Sequence, residues 1–254
     1  MFFNINDLSV YYEKYGSGKE NILILPGWGD TRRTFFNIIK VLKECYTVYI
    51  LDYPGFGYSP FPNRDLDIYQ YAELIISFVE KNNIQNPIII SHSFGGRISI
   101  LMAGLYKTNI KKMILINSAG IKPKKKLKTR IKQLIYKCLK KVGNILPNKI
   151  KTIYLEKLIS IFGSNDFKNL NVNIRKTFIK VVNEDLSNYL EHIKVSTLLI
   201  WGANDQDTPV NDGRIMNSKI EDSGLVIIPN AGHFTYLEFP YYTNKIILEF
   251  LNQL

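Results

Sequence analysis

The chain has 254 residues, 46% hydrophobic and 22% charged, and its 33 Lys and Arg outweigh 22 Asp and Glu to give a net charge of +11. That composition excludes collagen-like, disordered and cysteine-scaffold classes, and no apolar run reaches the roughly 20 residues of a spanning helix. A chain this long buries roughly 70–75% of the surface it exposes when unfolded, so it needs no disulfide or metal staple. Its two cysteines, Cys45 and Cys138, lack metal-ligand spacing and are expected to be inert apolar fillers. The N-terminus, Met1 to Val10, has no basic region followed by an apolar core, so a cytoplasmic location is expected.

In chain order, the first 15 residues read as a hairpin and Gly16–Gly18 as a turn. Asn21–Leu25 is a short apolar run stopped by Pro26 and Gly27, the pattern of a buried strand. Tyr46–Leu51 is a second such strand, ended by a turn over Asp52–Ser59. Tyr69–Lys81 has apolar residues at helical spacing. Pro87–Ile90 is a third buried strand, followed by a helix over Phe94–Tyr106, and Lys112–Ile116 is a fourth. Thr197–Trp201 and Leu225–Ile228 are two more, before a final helix over Tyr242–Leu251. Strands that are apolar throughout are covered on both faces, and their alternation with helices predicts a doubly wound α/β fold with a mostly parallel sheet.

Residues 119–193 break this rhythm with helical patterns only. Leu127, Ile131, Leu134, Ile135, Cys138, Leu139 and Val142 form one apolar face, opposite a face rich in lysine, so a basic amphipathic helix is predicted over Lys125–Val142. Further helices are predicted near Ile150–Phe162, Val172–Asn183 and Leu186–Ile193. The organisation expected is a core of residues 1–118 and 194–254 with a helical insertion, 119–193. From Lys111 to Lys151 there are 14 Lys and Arg and no Asp or Glu. Such a field attracts acidic substrates, anionic lipid or nucleic acid, while its plain reading is a solvated lysine face. No nucleic-acid recognition motif accompanies it. The amphipathic helix would either pack its apolar side over a pocket or make weak contact with an anionic membrane.

The chemistry concentrates at Ile88–Gly96, a strand, a sharp turn and a helix with Ser93 at the apex. A serine on such a turn is raised above the sheet, provided that its neighbours two before and two after are small; Ser91 and Gly95 are. The new helix offers N–H groups and partial positive charge where an oxyanion would form. A serine hydroxyl needs a base, and the base an orienting carboxylate. Of three histidines, His92 adjoins Ser93 and points elsewhere, and His192 ends the insertion. His233, in a loop after a buried strand, is the base by elimination and position. The acid should follow another strand between them, where Asp205 and Asp207 are candidates. The loop Pro26-Gly27-Trp28-Gly29-Asp30 is placed to give a second oxyanion donor, so the Trp28 and Phe94 N–H groups would form the pair. Asp30 and Arg97 lie near the expected mouth.

These residues resemble the α/β-hydrolase superfamily along essentially the whole chain. The order Ser93, Asp205, His233 is the superfamily order. Asp52-x-Pro54-Gly55-x-Gly57-x-Ser59 matches a further motif, and Trp201-Gly202-x-x-Asp205-x-x-x-Pro209 matches another that favours Asp205 over Asp207. Gly232-His233 with Glu238 and Pro240 behind it is also typical. Two positions depart from the pattern: Pro26 stands where the oxyanion loop usually has His, and Ser91 replaces the first Gly of the elbow. The resemblance places a cap at the helical insertion. It implies a serine hydrolase acting on a small or medium carboxylic ester through an acyl-enzyme, with no cofactor and no metal. Carbon–carbon bond hydrolysis and acyl transfer would use the same residues. A non-catalytic ligand-binding protein on this fold would need a broken triad.

Overall fold

The computed structural model describes residues 1–122, 135–136, 139, 141, 145, 147–162 and 171–252. Strands β1 (Phe2–Ile5) and β2 (Leu8–Tyr15) form the opening hairpin, turning through Asn6 at φ 50°. Asn tolerates this left-handed conformation better than other side chains. The remaining strands are β3 (Asn21–Leu25), β4 (Thr47–Asp52), β5 (Ile88–His92), β6 (Lys112–Ile116), β7 (Thr197–Gly202) and β8 (Ser223–Ile228). They make one eight-stranded sheet in the order β1-β2-β4-β3-β5-β6-β7-β8. The β1–β2 and β2–β4 pairs are antiparallel; every later pair is parallel. The predicted class is therefore the observed one.

Successive residues of the inner strands point to opposite faces, and each face has its own core. Leu23, Leu25, Ile89, Leu115 and Leu199 pack against α2 (Ile68–Lys81) and α3 (Phe94–Ile100). Ile22, Ile24, Ile88, Ile90, Ile114 and Ile116 pack on the other side, where α1 (Phe36–Leu42) lies. Each such side chain contributes about 1.5–3 kcal/mol by leaving water, which is why these strands carry no polar alternation. β8 differs from expectation: it is an edge strand, and only its Ile228 is buried. The helix predicted over Phe94–Tyr106 changes pitch after Ile100 into a π-helical stretch, Leu101–Leu105.

Between β6 and β7 the described elements are all helical. They are α4 (Asn148–Phe162), a 3-10 turn (Val172–Ile174), α5 (Arg175–Asn183) and a second 3-10 stretch (Ser187–His192). The predicted helix over Lys125–Val142 falls almost wholly outside the described residues. Beyond β7 come α6 (Val210–Lys219), a short α7 (Thr235–Glu238) and α8 (Pro240–Leu251), which joins the α1 side of the core through Ile247 and Leu251.

β3 connects to β4 on one side and is flanked on the other by β5, so the chain reverses its direction of travel across the sheet there. Such a switch point leaves a crevice at the carboxyl ends of the strands. The loops after β3, β5, β7 and β8 carry the residues singled out above.

Candidate active site

Ser93 follows β5 directly with φ 47° and ψ −107°. A non-glycine residue pays of order 1–3 kcal/mol for a conformation of this kind, and it persists only where its surroundings over-determine it. They do so here. Ser93 N–H donates to Ile116 O at 3.1 Å, and Ser93 O accepts from Ala119 N–H and Gly96 N–H, both at 3.0 Å. Gly95 lets the turn sit on β3, since a Cβ there would lie 2.1 Å from Leu25 O. Ser91 is fully buried, and its small side chain fits where the superfamily pattern has glycine.

His233 Nδ1 lies 2.9 Å from Asp205 Oδ2. An ionised carboxylate only accepts, so Nδ1 carries the proton and Nε2 is left with its lone pair. Asp205 is buried and every partner it has donates. Oδ1 takes the N–H groups of Asp207 (2.8 Å) and Thr208 (3.0 Å), while Oδ2 takes Asn117 Nδ2 (2.6 Å) and Thr208 Oγ1 (2.7 Å) besides the imidazole. Burial alone would raise its pKa; the hydrogen bonds from His233, Thr208 and Asn117 overcome this and hold it at about 2. Asp207 is exposed and contributes its backbone rather than its carboxylate, so of the two candidates Asp205 meets the histidine.

The loop bearing His233 is held from beneath. Glu238 accepts from Gly232 N–H at 2.7 Å and Phe234 N–H at 3.1 Å. His92, nearly fully buried, faces His233 O with Nε2 at 2.9 Å; a carbonyl accepts, so that nitrogen is the donor. Its Nδ1 sits 3.3 Å from Asp30 Oδ2 and makes no hydrogen bond among the described residues. Burial lowers the pKa of His92. His192 is exposed and takes no part.

Ser93 and His233 open onto one cavity of about 430 Å³. Trp28 and Phe94 line it, with ring centroids 5.1 Å apart, and Phe178, Val181 and Val182 of α5 close it from the insertion side. Neither the Trp28 nor the Phe94 N–H has a backbone partner among the described residues. Arg97 and Asp212 also reach the cavity. Arg97 Nη1 donates to Glu184 O at 2.8 Å, tying α3 to the insertion, and burial lowers its pKa to about 10. Asp212 is pushed up to about 6 by burial and by the negative charge of Asp205.

Sequence reasoning missed Asn117 and Thr208. Asn117 follows β6 at φ 45°, donates to Asp205, and accepts from Thr235 Oγ1 at 2.9 Å. A polar residue directly after a buried strand was the available signal. Asp52 keeps to its turn: it receives Arg32 Nη1 at 3.1 Å and Tyr58 N–H at 3.0 Å. Cys45 is exposed, which corrects its reading as an apolar filler; Cys138 lies outside the described residues.

A strained serine after a central strand, and a His–Asp pair on two later loops above the same crevice, define a class of enzyme: hydrolases built on a doubly wound sheet. The family profile described as alpha/beta hydrolase fold matches residues 20–240, and the chain belongs to that family. The chain is 27% identical to the hydrolase YugF of Bacillus subtilis, over 98% of this chain and 96% of the relative. It is also 27% identical to a pimeloyl-acyl-carrier-protein methyl ester esterase of Wigglesworthia glossinidia brevipalpis, over 96% and 98%. Other relatives are named monoacylglycerol lipases and 2-hydroxy-6-oxononadienedioate hydrolases. Among solved structures, the α/β-hydrolase MGS-M2 from a Medee basin deep-sea metagenome library superposes with a TM-score of 0.78 at 22% identity, over 100% of this chain and 98% of that one.

Proposed function

We propose that this hydrolase cleaves small or medium carboxylic esters through an acyl-enzyme on Ser93. His233 Nε2 takes the hydroxyl proton as Ser93 Oγ attacks the carbonyl carbon. Asp205 holds the imidazole in the required tautomer and stabilises the imidazolium that forms. The oxyanion is received by the Trp28 and Phe94 N–H groups, whose positions are set by the β3 loop and the start of α3. The C–O bond then breaks as His233 protonates the leaving alkoxide. Water, deprotonated by the same imidazole, hydrolyses the acyl group and regenerates Ser93. The observation that carries this reading is the Asp205–His233 hydrogen bond at 2.9 Å beside a cavity that also holds Ser93. The esterase among the relatives supports the ester as substrate.

With p-nitrophenyl butyrate, a burst of one nitrophenol per enzyme is expected ahead of steady turnover. Ser93→Ala should lower kcat by about 10⁴-fold or more. Retention of activity in Ser93→Ala would remove the nucleophile from the account. Hydrolysis of a vinylogous 1,5-diketone in preference to any ester would instead favour carbon–carbon cleavage by the same residues.

A further inference from the structure

The net charge is segregated. Residues 119–193 hold 17 Lys and Arg against 5 Asp and Glu, whereas the rest of the chain holds 16 against 17. The positive charge of the molecule therefore belongs to the helical insertion, and the α/β core is close to neutral. Charge asymmetry on this scale between two parts of one chain favours an anionic partner for the basic part.

The same insertion exposes large aliphatic side chains. On α4, Ile150, Ile153 and Ile161 are 56%, 73% and 61% exposed. Their spacing of three and eleven residues puts them on one stripe of the helix, with exposed Lys157 among them and Leu158 buried to the side. Ile145, ahead of the helix, is 86% exposed, and Ile179 on α5 is exposed as well. An outward row of β-branched aliphatics beside exposed Lys157 is costly in water, and single scattered residues do not make such a row. Helices with a basic face and an apolar row lie in the interface of a bilayer, where the lysines meet anionic headgroups and the aliphatics enter the acyl boundary. Nucleic acid would satisfy the charge but has no use for exposed isoleucines.

We infer that the α4 face of the insertion docks on an anionic membrane surface. The docking face adjoins the site: Arg175 of α5 pairs with Glu156 of α4 at 2.7 Å, and α5 supplies Phe178, Val181 and Val182 to the wall of the catalytic cavity. A consequence, which rests on the hydrolase reading above, is that the ester delivered to Ser93 is an acyl lipid drawn from the bilayer.

Vesicle flotation tests this directly. Wild-type protein at low salt should bind vesicles with about 30% phosphatidylglycerol at least about tenfold more tightly than pure phosphatidylcholine, and lose that preference near 0.5 M salt. The double variant Ile150→Ser, Ile153→Ser should bind the anionic vesicles at least about tenfold more weakly while hydrolysing a soluble short ester within about twofold of wild type. Equal weak binding to both vesicles at low salt would overturn the inference, as would anionic binding that the serine variant leaves intact. Binding of duplex DNA that matches the vesicle affinity and ignores the isoleucines would reassign the face to nucleic acid. A dimer abolished by the same variant would reassign it to a second copy of the chain. Ester turnover with no vesicle binding would sink the membrane face and leave the hydrolase standing; vesicle binding with no Ser93-dependent turnover would do the reverse.

Discussion

Two residues carry opposite kinds of cost at the centre of this molecule. Ser93 holds an unfavourable backbone conformation, and Asp205 holds a negative charge out of water. Each is retained by neighbours that supply a defined number of hydrogen bonds. For Asp205 this has a pH signature. Its folded pKa of about 2 lies below its ordinary value of 3.8, so the stabilisation is complete above pH 4 and is lost as pH falls through the folded value. Against Asp205→Asn, the unfolding free energy of wild type should be greater by on the order of 2 kcal/mol near neutrality. That difference should shrink in urea titrations taken below the ordinary carboxylate range; a difference that holds constant through the acid range would contradict the network. Asp212 has the opposite sign. Its pKa, raised to about 6, penalises the ionised form, so Asp212→Asn should stabilise above that pH and make little difference in the acid range. The placing of Ser93, Asp205 and His233 after the ends of strands was legible because few residues of the right type follow apolar runs in that order. Asn117 and Thr208 were not, since their roles depend on which strand ends are neighbours in the sheet, and spacing along the chain is silent about that.

At the level of elements, the glycines after Ser93 make the tightest claim. Gly95→Ala would drive a methyl group into the Leu25 carbonyl, and backbone has no rotamer with which to yield. A loss of at least about 2 kcal/mol is expected, with ester turnover falling alongside as the β3 loop moves. A thermal midpoint unchanged from wild type would mean that the elbow is looser than described. The inner strands were readable because each is a short, largely apolar run of the kind a doubly covered sheet buries. α1 and α6 were not recognised. α1 is seven residues long, too short for its three buried positions to show a period. α6 buries only Gly213 and Met216, so its sequence carries almost no apolar face. α2, by contrast, has a reciprocal cap in which Asp67 accepts from Gln70 N–H while Gln70 accepts from Asp67 N–H. The apolar spacing over Tyr69–Lys81, not this cap, is what predicted the helix.

Across the whole molecule, the sheet places four loops at the carboxyl ends of its strands, and α5 brings apolar side chains to the wall of the same cavity. The core is the conservative part: its doubly covered strands and their alternation with helices follow from hydrophobic pattern, whereas the strand order that makes the switch point does not. The insertion is where pattern and outcome part, because amphipathic helices can pack against a core, a bilayer or each other with the same periodicity. No helix among the described residues is long and apolar enough to cross a membrane. The account as a whole depends on Ser93 being a nucleophile activated by His233. The most direct measurement is mass spectrometry of the folded protein after reaction with a fluorophosphonate. One phosphonyl adduct on Ser93 is expected, forming at least about a hundredfold more slowly in His233→Ala. A folded wild-type protein that stays unlabelled, or an adduct located on any other residue, would contradict it.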